Sequence, residues 1–310
     1  MNGLSCNGGG ANGLISSHSI KCFEDVSKMP IHNHFDFYAG TSVGALQIAL
    51  ILCGYTANDI IHIFEKELPG IFDKKCLRFG VFRSKYKNDY IIDAVLRYTQ
   101  NLKMGDIKKR TIIPAFNVTQ GKRKFFKSLD ERDADIPLAL AVLASAAAPT
   151  YFDPIKIGND LYEDGGLGYN NPSDLLLKEM QASVPGFNYR DQRFNIMSLT
   201  TGSRVEKPGK IRSGLIGRAK PSFETTLREQ DLKVHDNMVF DYKYNIQGIY
   251  TRVEAVKEKS TKSIDDASKK NIEAMKIDGE STIISNFENI RNFFEQTKTK
   301  EHAPKSLRYR

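Results

Sequence analysis

A serine framed by glycines stands between two apolar segments of different character. Ser42 is the centre of the pentapeptide Gly40-Thr41-Ser42-Val43-Gly44, which has the pattern GxSxG. Residues 35–39 before it are typical of a buried strand, and residues 43–52 after it are typical of a buried helix. A strand, a tight turn carrying a serine and a helix form the nucleophile elbow of serine hydrolases. Because Gly40 and Gly44 leave room for that turn, we expect Ser42 to attack an acyl carbon.

A nucleophilic serine needs hydrogen-bond donors for the negative charge that its attack places on the carbonyl oxygen. A glycine loop follows the first predicted strand, residues 1–6, and opens onto a predicted helix at 14–26. No side chain covers the N–H groups of this loop, and the helix adds the positive end of its dipole. The expected oxyanion hole therefore consists of Gly8, Gly9 and Gly10.

The same loop admits a second interpretation, because Gly8, Gly10 and Gly13 fit the GxGxxG fingerprint of dinucleotide-binding folds. Such a site calls for an acidic residue at the end of the second strand, where it binds the ribose. The second predicted strand has Asp36 near its start and runs into the Ser42 turn instead. The oxyanion interpretation is favoured, and no cofactor is expected.

Asp164 is the expected general base. It ends a predicted strand and is followed by Gly165 and Gly166. A carboxylate at the carboxyl end of a strand faces the edge of the sheet where α/β sites form, although Asp-Gly-Gly is also a common turn sequence. Histidine is the usual base, and His235 would complete a triad in the order Ser, Asp, His. Only one strand and one helix precede the strand of Ser42, unlike an α/β-hydrolase, so a Ser–Asp dyad fits the order better.

Predicted strands alternate with predicted helices through the first two thirds of the chain, which indicates an α/β fold with a largely parallel sheet. We expect a catalytic core at 1–206 and a loop rich in Gly, Pro, Lys and Arg at 207–221. A mostly helical part at 222–296 is expected to pack on the core, and 297–310 to form a basic tail.

The chain of 310 residues is basic, with 45 Lys and Arg against 37 Asp and Glu and a net charge of +8. This charge suits an anionic partner, and basic segments with aromatic residues occur at 74–87, 108–110 and 122–127. Peripheral contact with an anionic membrane competes with the simpler interpretation of a sheet edge protected by lysines. No nucleic-acid-binding module is recognisable, and the sequence leaves the oligomeric state open.

The cysteines give no sign of a metal site or a disulfide framework. Cys6, Cys22, Cys53 and Cys76 show no CxxC spacing, so we expect free thiols in a reducing compartment. The chain does not open with a basic segment followed by an apolar stretch, so no signal peptide is predicted. Its longest apolar run, 43–53, is shorter than the ~18 residues that a membrane span requires. The expectation is a soluble, cytoplasmic or otherwise intracellular protein without a metal.

Three motifs in fixed order resemble those of the patatin-like phospholipases: the glycine loop at 8–13, GxSxG at 40–44 and Asp-Gly-Gly at 164–166. The segment ASAAAPTYF at 144–152 and Asn170-Asn171-Pro172 are similar to two further segments of that family. The likeness covers about 1–202. It implies a three-layer α/β/α sandwich with a mostly parallel central sheet and a helical C-terminal extension.

By this resemblance, Ser42 attacks a fatty-acyl ester, Asp164 acts as general base, the amides of the glycine loop bind the oxyanion, and water then hydrolyses the acyl-enzyme. The implied activity is phospholipase A or lysophospholipase, on phospholipids or other acyl-ester lipids, with no obligatory metal. The alternative is a catalytically weakened lipid- or protein-binding module on the same fold. Two positions depart from the family pattern, since Asn7 replaces its usual Asp and Asn12 its usual Arg or Lys. If the Asp and the Arg or Lys of the family pattern interact with each other, Asn7 and Asn12 are expected to replace that charge pair by a neutral hydrogen bond.

Overall fold

Short apolar segments form the strands, and longer apolar or amphipathic segments form the helices. The computed structural model describes residues 1–73, 84–187, 192–202, 215–261 and 263–297, and for 215–223 it describes the backbone only. The strands are β1 (Asn2–Cys6), β2 (Phe37–Gly40), β3 (Arg110–Asn117), β4 (Lys122–Lys127), β5 (Ile155–Ile157), β6 (Asp160–Asp164), β7 (Phe194–Leu199) and β8 (Gly248–Val253). The helices are α1 (Gly13–Ser27), α2 (Val43–Leu52), α3 (Ala57–Ile71), α4 (Asp89–Tyr98), α5 (Leu138–Ala146), α6 (Gly166–Tyr169), α7 (Ser173–Ala182), α8 (Leu215–Tyr244) and α9 (Lys269–Thr297).

The strands of the described residues form one sheet in the order β5-β6-β3-β2-β1-β7-β8, with β4 paired to β3 off this path. Strands β3, β2, β1, β7 and β8 run parallel to one another, whereas β4, β5 and β6 pair antiparallel. The predicted, largely parallel sheet is confirmed. In its centre Cys6 of β1 is in register with Gly40 of β2, so the segments after these two strands leave the sheet side by side.

Helices cover both faces of the sheet, which gives the expected three layers. Leu4 of β1 points into a core built with α1, α2, α3 and α9, and α4 and α5 extend this layer over Ile113 of β3. On the opposite face Ile112 and Phe194 pack against α7 and Met238 of α8. The polar Ser5 belongs to this second face, where its hydroxyl accepts a hydrogen bond from Ser173 of α7 at 3.0 Å.

The C-terminal third contains a strand that was not predicted from the sequence, in addition to the two long helices α8 and α9. β8 belongs to the central sheet, where it runs parallel to β7 from Gly248 opposite Phe194 to Val253 opposite Leu199. Helix α8 already begins at Leu215, inside the predicted loop at 207–221. The rest of that loop and nearly all of the predicted tail at 297–310 lie outside the described residues.

Candidate active site

Ser42 occupies a strained turn at the end of β2. Its backbone has φ 55° and ψ −122°, a conformation that costs a residue with a Cβ atom ~1–3 kcal/mol. A Cβ on Gly44 would lie 2.1 Å from the carbonyl oxygen of Cys6, and one on Gly40 would lie 2.5 Å from the carbonyl oxygen of Gly44. The glycines of the pentapeptide therefore provide space for the turn, while the unusual φ falls on the serine itself. Ser42 is partly exposed at the start of α2.

Asp164 ends β6 and is 2% exposed. Its Oδ1 accepts a hydrogen bond from the N–H of Gly166 at 2.7 Å. Burial raises the pKa of the carboxyl to about 7, against the opposing hydrogen bonds from the Gly166 N–H and the Ser42 side chain. A carboxyl with a pKa near neutrality is suited to accept a proton at physiological pH, and its hydrogen-bond partner here is the predicted nucleophile.

The end of α5 links the backbones of these two segments. The N–H of Ser42 donates to Oγ of Ser145 at 3.0 Å, and the N–H of Gly165 donates to the carbonyl of the same serine at 3.2 Å. The N–H of Asp164 donates to the carbonyl of Ala147 at 3.0 Å. Ser145 is fully buried, so it fixes the serine turn relative to the aspartate. Sequence reasoning noted its segment only as a family resemblance and assigned it no role.

The glycine loop lies beside Ser42, but its three N–H groups are not equivalent. The N–H of Gly8 donates to the carbonyl of Asn170 at 3.1 Å, so the expected donation by Gly8 to an oxyanion does not fit this conformation. Gly9 and Gly10 line the cavity that contains Ser42, and their N–H groups have no acceptor among the described residues. Two of the three expected donors are therefore unpaired among the described residues, in loop positions that border the same cavity as Ser42.

Residues from the distant end of the chain hold this loop in place. The hydroxyl of Thr201 donates to the carbonyl of Gly8 at 2.7 Å, and the N–H of Ala11 donates to the carbonyl of Ile264 at 2.7 Å. Gly10 has a φ of +59°, and a Cβ there would lie 2.3 Å from the Ile264 carbonyl oxygen. The loop is thus backed by ordered main chain, and glycine is required at position 10.

A mostly apolar cavity joins these groups. We call it the serine cavity; it encloses about 630 Å³ of empty space, part of it open to solvent. Its lining comprises Gly9, Gly10, Ser42, Val43, Leu46, Phe64, Leu68, Ile71, Phe72, Ile91, Ala146, Ala148, Tyr151, Phe152, Asp164, Asn170, Leu227 and Ile264. Oδ1 of Asn170 is buried there without a hydrogen-bond partner among the described residues. A long apolar group with a polar end would fit this mixture of walls.

The two departures from the family pattern do not pair with each other. Nδ2 of Asn7 donates to Oδ1 of Asp231 at 2.8 Å, and Nδ2 of Asn171 donates to the same oxygen at 3.0 Å. Arg252 of β8 donates to both oxygens of Asp231, at 2.8 and 2.9 Å. The expected Asn7–Asn12 hydrogen bond is therefore wrong, because the partner of Asn7 comes from α8. Asn12 is buried, and its Oδ1 has no partner among the described residues.

The histidine alternative is separated from this site. His235 does not line the serine cavity, and its Nδ1 lies 3.3 Å from the hydroxyl of Tyr250. Burial lowers its pKa, helped by the charge of Arg252. In the described part of the chain no group of His, Cys, Asp and Glu has the arrangement of a metal site. Cys6, Cys22 and Cys53 are free thiols, and Cys76 lies outside the described residues.

The basic segments are partly neutralised by ion pairs. The pairs are Lys109 with Asp36 at 2.7 Å, Lys127 with Glu179 at 2.6 Å, and Lys124 with Asp133. The guanidinium of Arg123 lies over the ring of Tyr169, 5.2 Å from its centre. The segment 74–87 is described only from Ser84 onward, and membrane contact stays a prediction. Among the described helices, none combines the length and the apolarity of a membrane span.

Known proteins are similar to this one over much of its chain. A family model described as patatin-like phospholipase matches residues 4–177. A cGAMP-activated phospholipase of Vibrio cholerae is 33% identical over 244 residues, which make up 70% of this chain and 68% of that protein. A human calcium-independent phospholipase A2-gamma is 25% identical over 205 residues, 59% of this chain and 26% of that protein. The solved structure of VipD from Legionella pneumophila has 13% identity and a TM-score of 0.41, covering 91% of this chain and 67% of that one. By the extent of the family match and the identity to the Vibrio protein, the chain belongs to the patatin-like phospholipases.

Proposed function

We propose that this chain hydrolyses the fatty-acyl esters of phospholipids or lysophospholipids through a Ser42–Asp164 dyad. Asp164 takes the hydroxyl proton of Ser42 as the Ser42 oxygen bonds to the ester carbonyl carbon. The tetrahedral intermediate then expels the alcohol, which receives the proton from Asp164, and leaves an acyl ester on Ser42. Asp164 next takes a proton from water, the hydroxide adds to the acyl ester, and collapse releases the fatty acid and returns the proton to Ser42.

One observation carries this proposal: the Ser42 hydroxyl, the Asp164 carboxyl and the free amides of Gly9 and Gly10 meet at one cavity. The two amides can donate to the oxyanion of both tetrahedral intermediates, and each such donor is worth ~2.7–4 kcal/mol of transition-state stabilisation in serine hydrolases. The near-neutral pKa of Asp164 supports its role as a base that needs no histidine. The apolar walls support a fatty-acyl substrate.

Activity against a panel of acyl esters tests the proposal. Ser42→Ala and Asp164→Asn are each expected to lower kcat by about 10⁴-fold or more, since loss of a group that acts in covalent chemistry is rarely compensated. A fluorophosphonate probe is expected to label Ser42 in the wild type, and labelling is expected to fall in Asp164→Asn. Full turnover by either variant contradicts the mechanism. Lipid binding by a wild type that turns over no ester would instead favour the non-catalytic lipid-binding module.

The relatives suggest how the activity is controlled. Proteins of Vibrio cholerae, Pseudomonas aeruginosa and Escherichia coli, at 33%, 27% and 31% identity, are cGAMP-activated phospholipases. We extend this property to the present chain as part of the proposal, and expect ester hydrolysis to rise at least tenfold on addition of cGAMP. Equal rates with and without the nucleotide contradict activation by cGAMP, but they do not contradict ester hydrolysis by Ser42. Ester hydrolysis by the wild type and by each variant is therefore compared with and without cGAMP.

A further inference from the structure

A second apolar cavity lies between α2, α3 and α4. It encloses about 450 Å³ of empty space, part of it open to solvent. We call it the distal cavity; its lining comprises Leu46, Ala49, Leu50, Ile63, Phe64, Glu67, Leu68, Ile71, Ala94, Val95, Tyr98 and Thr99. The walls it exposes are apolar, so water inside them gains few hydrogen bonds. An apolar group is therefore the expected occupant.

The distal cavity adjoins the serine cavity. Leu46 of α2 and the α3 residues Phe64, Leu68 and Ile71 line both spaces. These four side chains are flexible or flat apolar groups that stand between the two cavities. Neither Phe64 nor Leu68 has a polar side-chain atom, so a movement of either side chain would break no hydrogen bond.

Polar side chains close one wall of the distal cavity. The carboxylate of Glu67, 3% exposed, accepts hydrogen bonds from the hydroxyls of Tyr98 at 2.7 Å and Tyr90 at 3.0 Å, and from Arg97 at 2.8 Å. With its oxygens satisfied in this way, the carboxylate can remain buried beside apolar walls. A methyl group pushed into this cluster would displace paired polar atoms.

We infer that the distal cavity binds the methyl end of the substrate's fatty-acyl chain, and that the Glu67 cluster sets the longest chain that gains from binding. This inference rests on the proposed ester hydrolysis, with the ester at Ser42 and the chain running past Leu46 and Phe64. Each methylene that leaves water in a cavity of this type raises kcat/KM about fourfold. The gain is expected to continue with chain length until the distal cavity is full and then to stop.

Two substitutions change the volume of the distal cavity in opposite directions. Ala94 of α4 and Ile63 of α3 line this cavity and are absent from the wall of the serine cavity. Ala94→Leu fills the space, and Ile63→Ala enlarges it. Ala182→Leu is the matched control, because it adds the same side chain at an exposed position on α7. Thermal unfolding of each purified variant shows whether it is folded.

The measurement is kcat/KM for p-nitrophenyl esters of 4, 8, 12 and 16 carbons. Compared with the wild type, the ratio of the 16-carbon to the 8-carbon ester is expected to fall at least tenfold in Ala94→Leu and to stay within twofold in Ala182→Leu. In Ile63→Ala, the plateau is expected to shift to longer chains. A folded Ala94→Leu with the wild-type ratio, or Ile63→Ala with the wild-type plateau, overturns the inference.

A binding measurement separates this inference from the proposed function. Displacement of a fluorescent fatty acid by free fatty acids of the same four lengths measures their affinity for the protein without any turnover. If the wild type cleaves no ester, the proposed hydrolysis is wrong. Binding of the acyl chain in the distal cavity is then tested by the fatty-acid affinities alone. Affinity that increases with chain length in the wild type and levels off earlier in Ala94→Leu supports it, whereas identical length dependence in both proteins overturns it.

Discussion

The side-chain amide of Asn7 donates to the carboxylate of Asp231, 2.8 Å away and 224 residues later in the chain. Asn7 immediately precedes the glycine loop, and Asp231 also holds Arg252 in a two-pronged ion pair. An amide at position 7 can donate to this carboxylate, whereas an aspartate there would face it with a second negative charge. The departure of Asn7 from its family's pattern thus follows from the charge on α8.

Asn7→Asp is expected to destabilise the fold. It replaces a buried hydrogen-bond donor by a carboxylate beside Asp231, at a cost of about 3 kcal/mol. The loss is expected to be larger at pH 8 than at pH 5, where protonation of the new carboxyl restores a donor. Urea unfolding at both pH values measures it, with Asn33→Asp at an exposed position as the matched control. Equal stability of Asn7→Asp and wild type at pH 8 contradicts the expectation.

Ser145→Ala is expected to lower kcat by about 10- to 100-fold and to change KM little. The Ser42 N–H then loses its acceptor, a loss of ~1–3 kcal/mol for a buried donor, and the serine turn is no longer fixed relative to Asp164. Ser145→Thr keeps a hydroxyl and is expected to recover most of the rate. Ser128→Ala is the control, because Oγ of Ser128 accepts the N–H of Thr111 in the same way at the far end of β3. Equal losses in Ser145→Ala and Ser145→Thr, or the same kcat loss in Ser128→Ala, would show that Ser145 has no specific positioning role.

The pH dependence of kcat/KM should follow the ionisation of Asp164. The proton acceptor is the carboxylate, and burial raises the pKa of this carboxyl to about 7. Activity is therefore expected to increase with pH through about 7 and to fall roughly tenfold for each pH unit below it. Stopped assays with a neutral ester between pH 5 and 9 measure the profile. A profile that is flat from pH 5 to 8 contradicts Asp164 as the base.

The same pKa links activity to stability. Because the folded-state pKa lies above the unfolded value of 3.8, the folded protein binds more protons between pH 4 and 7, and its stability falls as pH rises through that window. Asp164→Asn removes this dependence. It is expected to be more stable than the wild type at pH 8, with a smaller difference at pH 5, by urea unfolding at each pH.

His235→Ala is expected to retain at least half of the wild-type kcat. The imidazole of His235, on α8, lies against Tyr250 of β8 and does not line the serine cavity. Steady-state kinetics on a short ester measures this, and Asp164→Asn in the same assay shows the response to loss of a base. If His235→Ala instead turns over the ester about a thousandfold more slowly than the wild type, the Ser–Asp–His alternative is restored.

Sequence reasoning singled out Ser42, Asp164 and the glycine loop as candidates because short local patterns carry them, and the structure places all three at one cavity. It missed β8, since only Val253 in that strand is buried and the strand shows no alternation of buried and exposed positions. It also assigned Gly8 as a donor, because residue type does not fix which way a peptide N–H points. The orientation of the Gly8 N–H depends on Asn170, more than 160 residues away. A contact between residues so far apart cannot be predicted from the spacing of neighbouring residues.

The support of the glycine loop has a consequence for synthesis of the chain. Residues 7–11 are synthesised long before Thr201, Asp231 and Ile264, which complete the contacts that hold them. A nascent chain that already carries Ser42 and Asp164 therefore still lacks an ordered loop. Under the proposed function, ester hydrolysis is therefore expected only from chains that extend through Ile264.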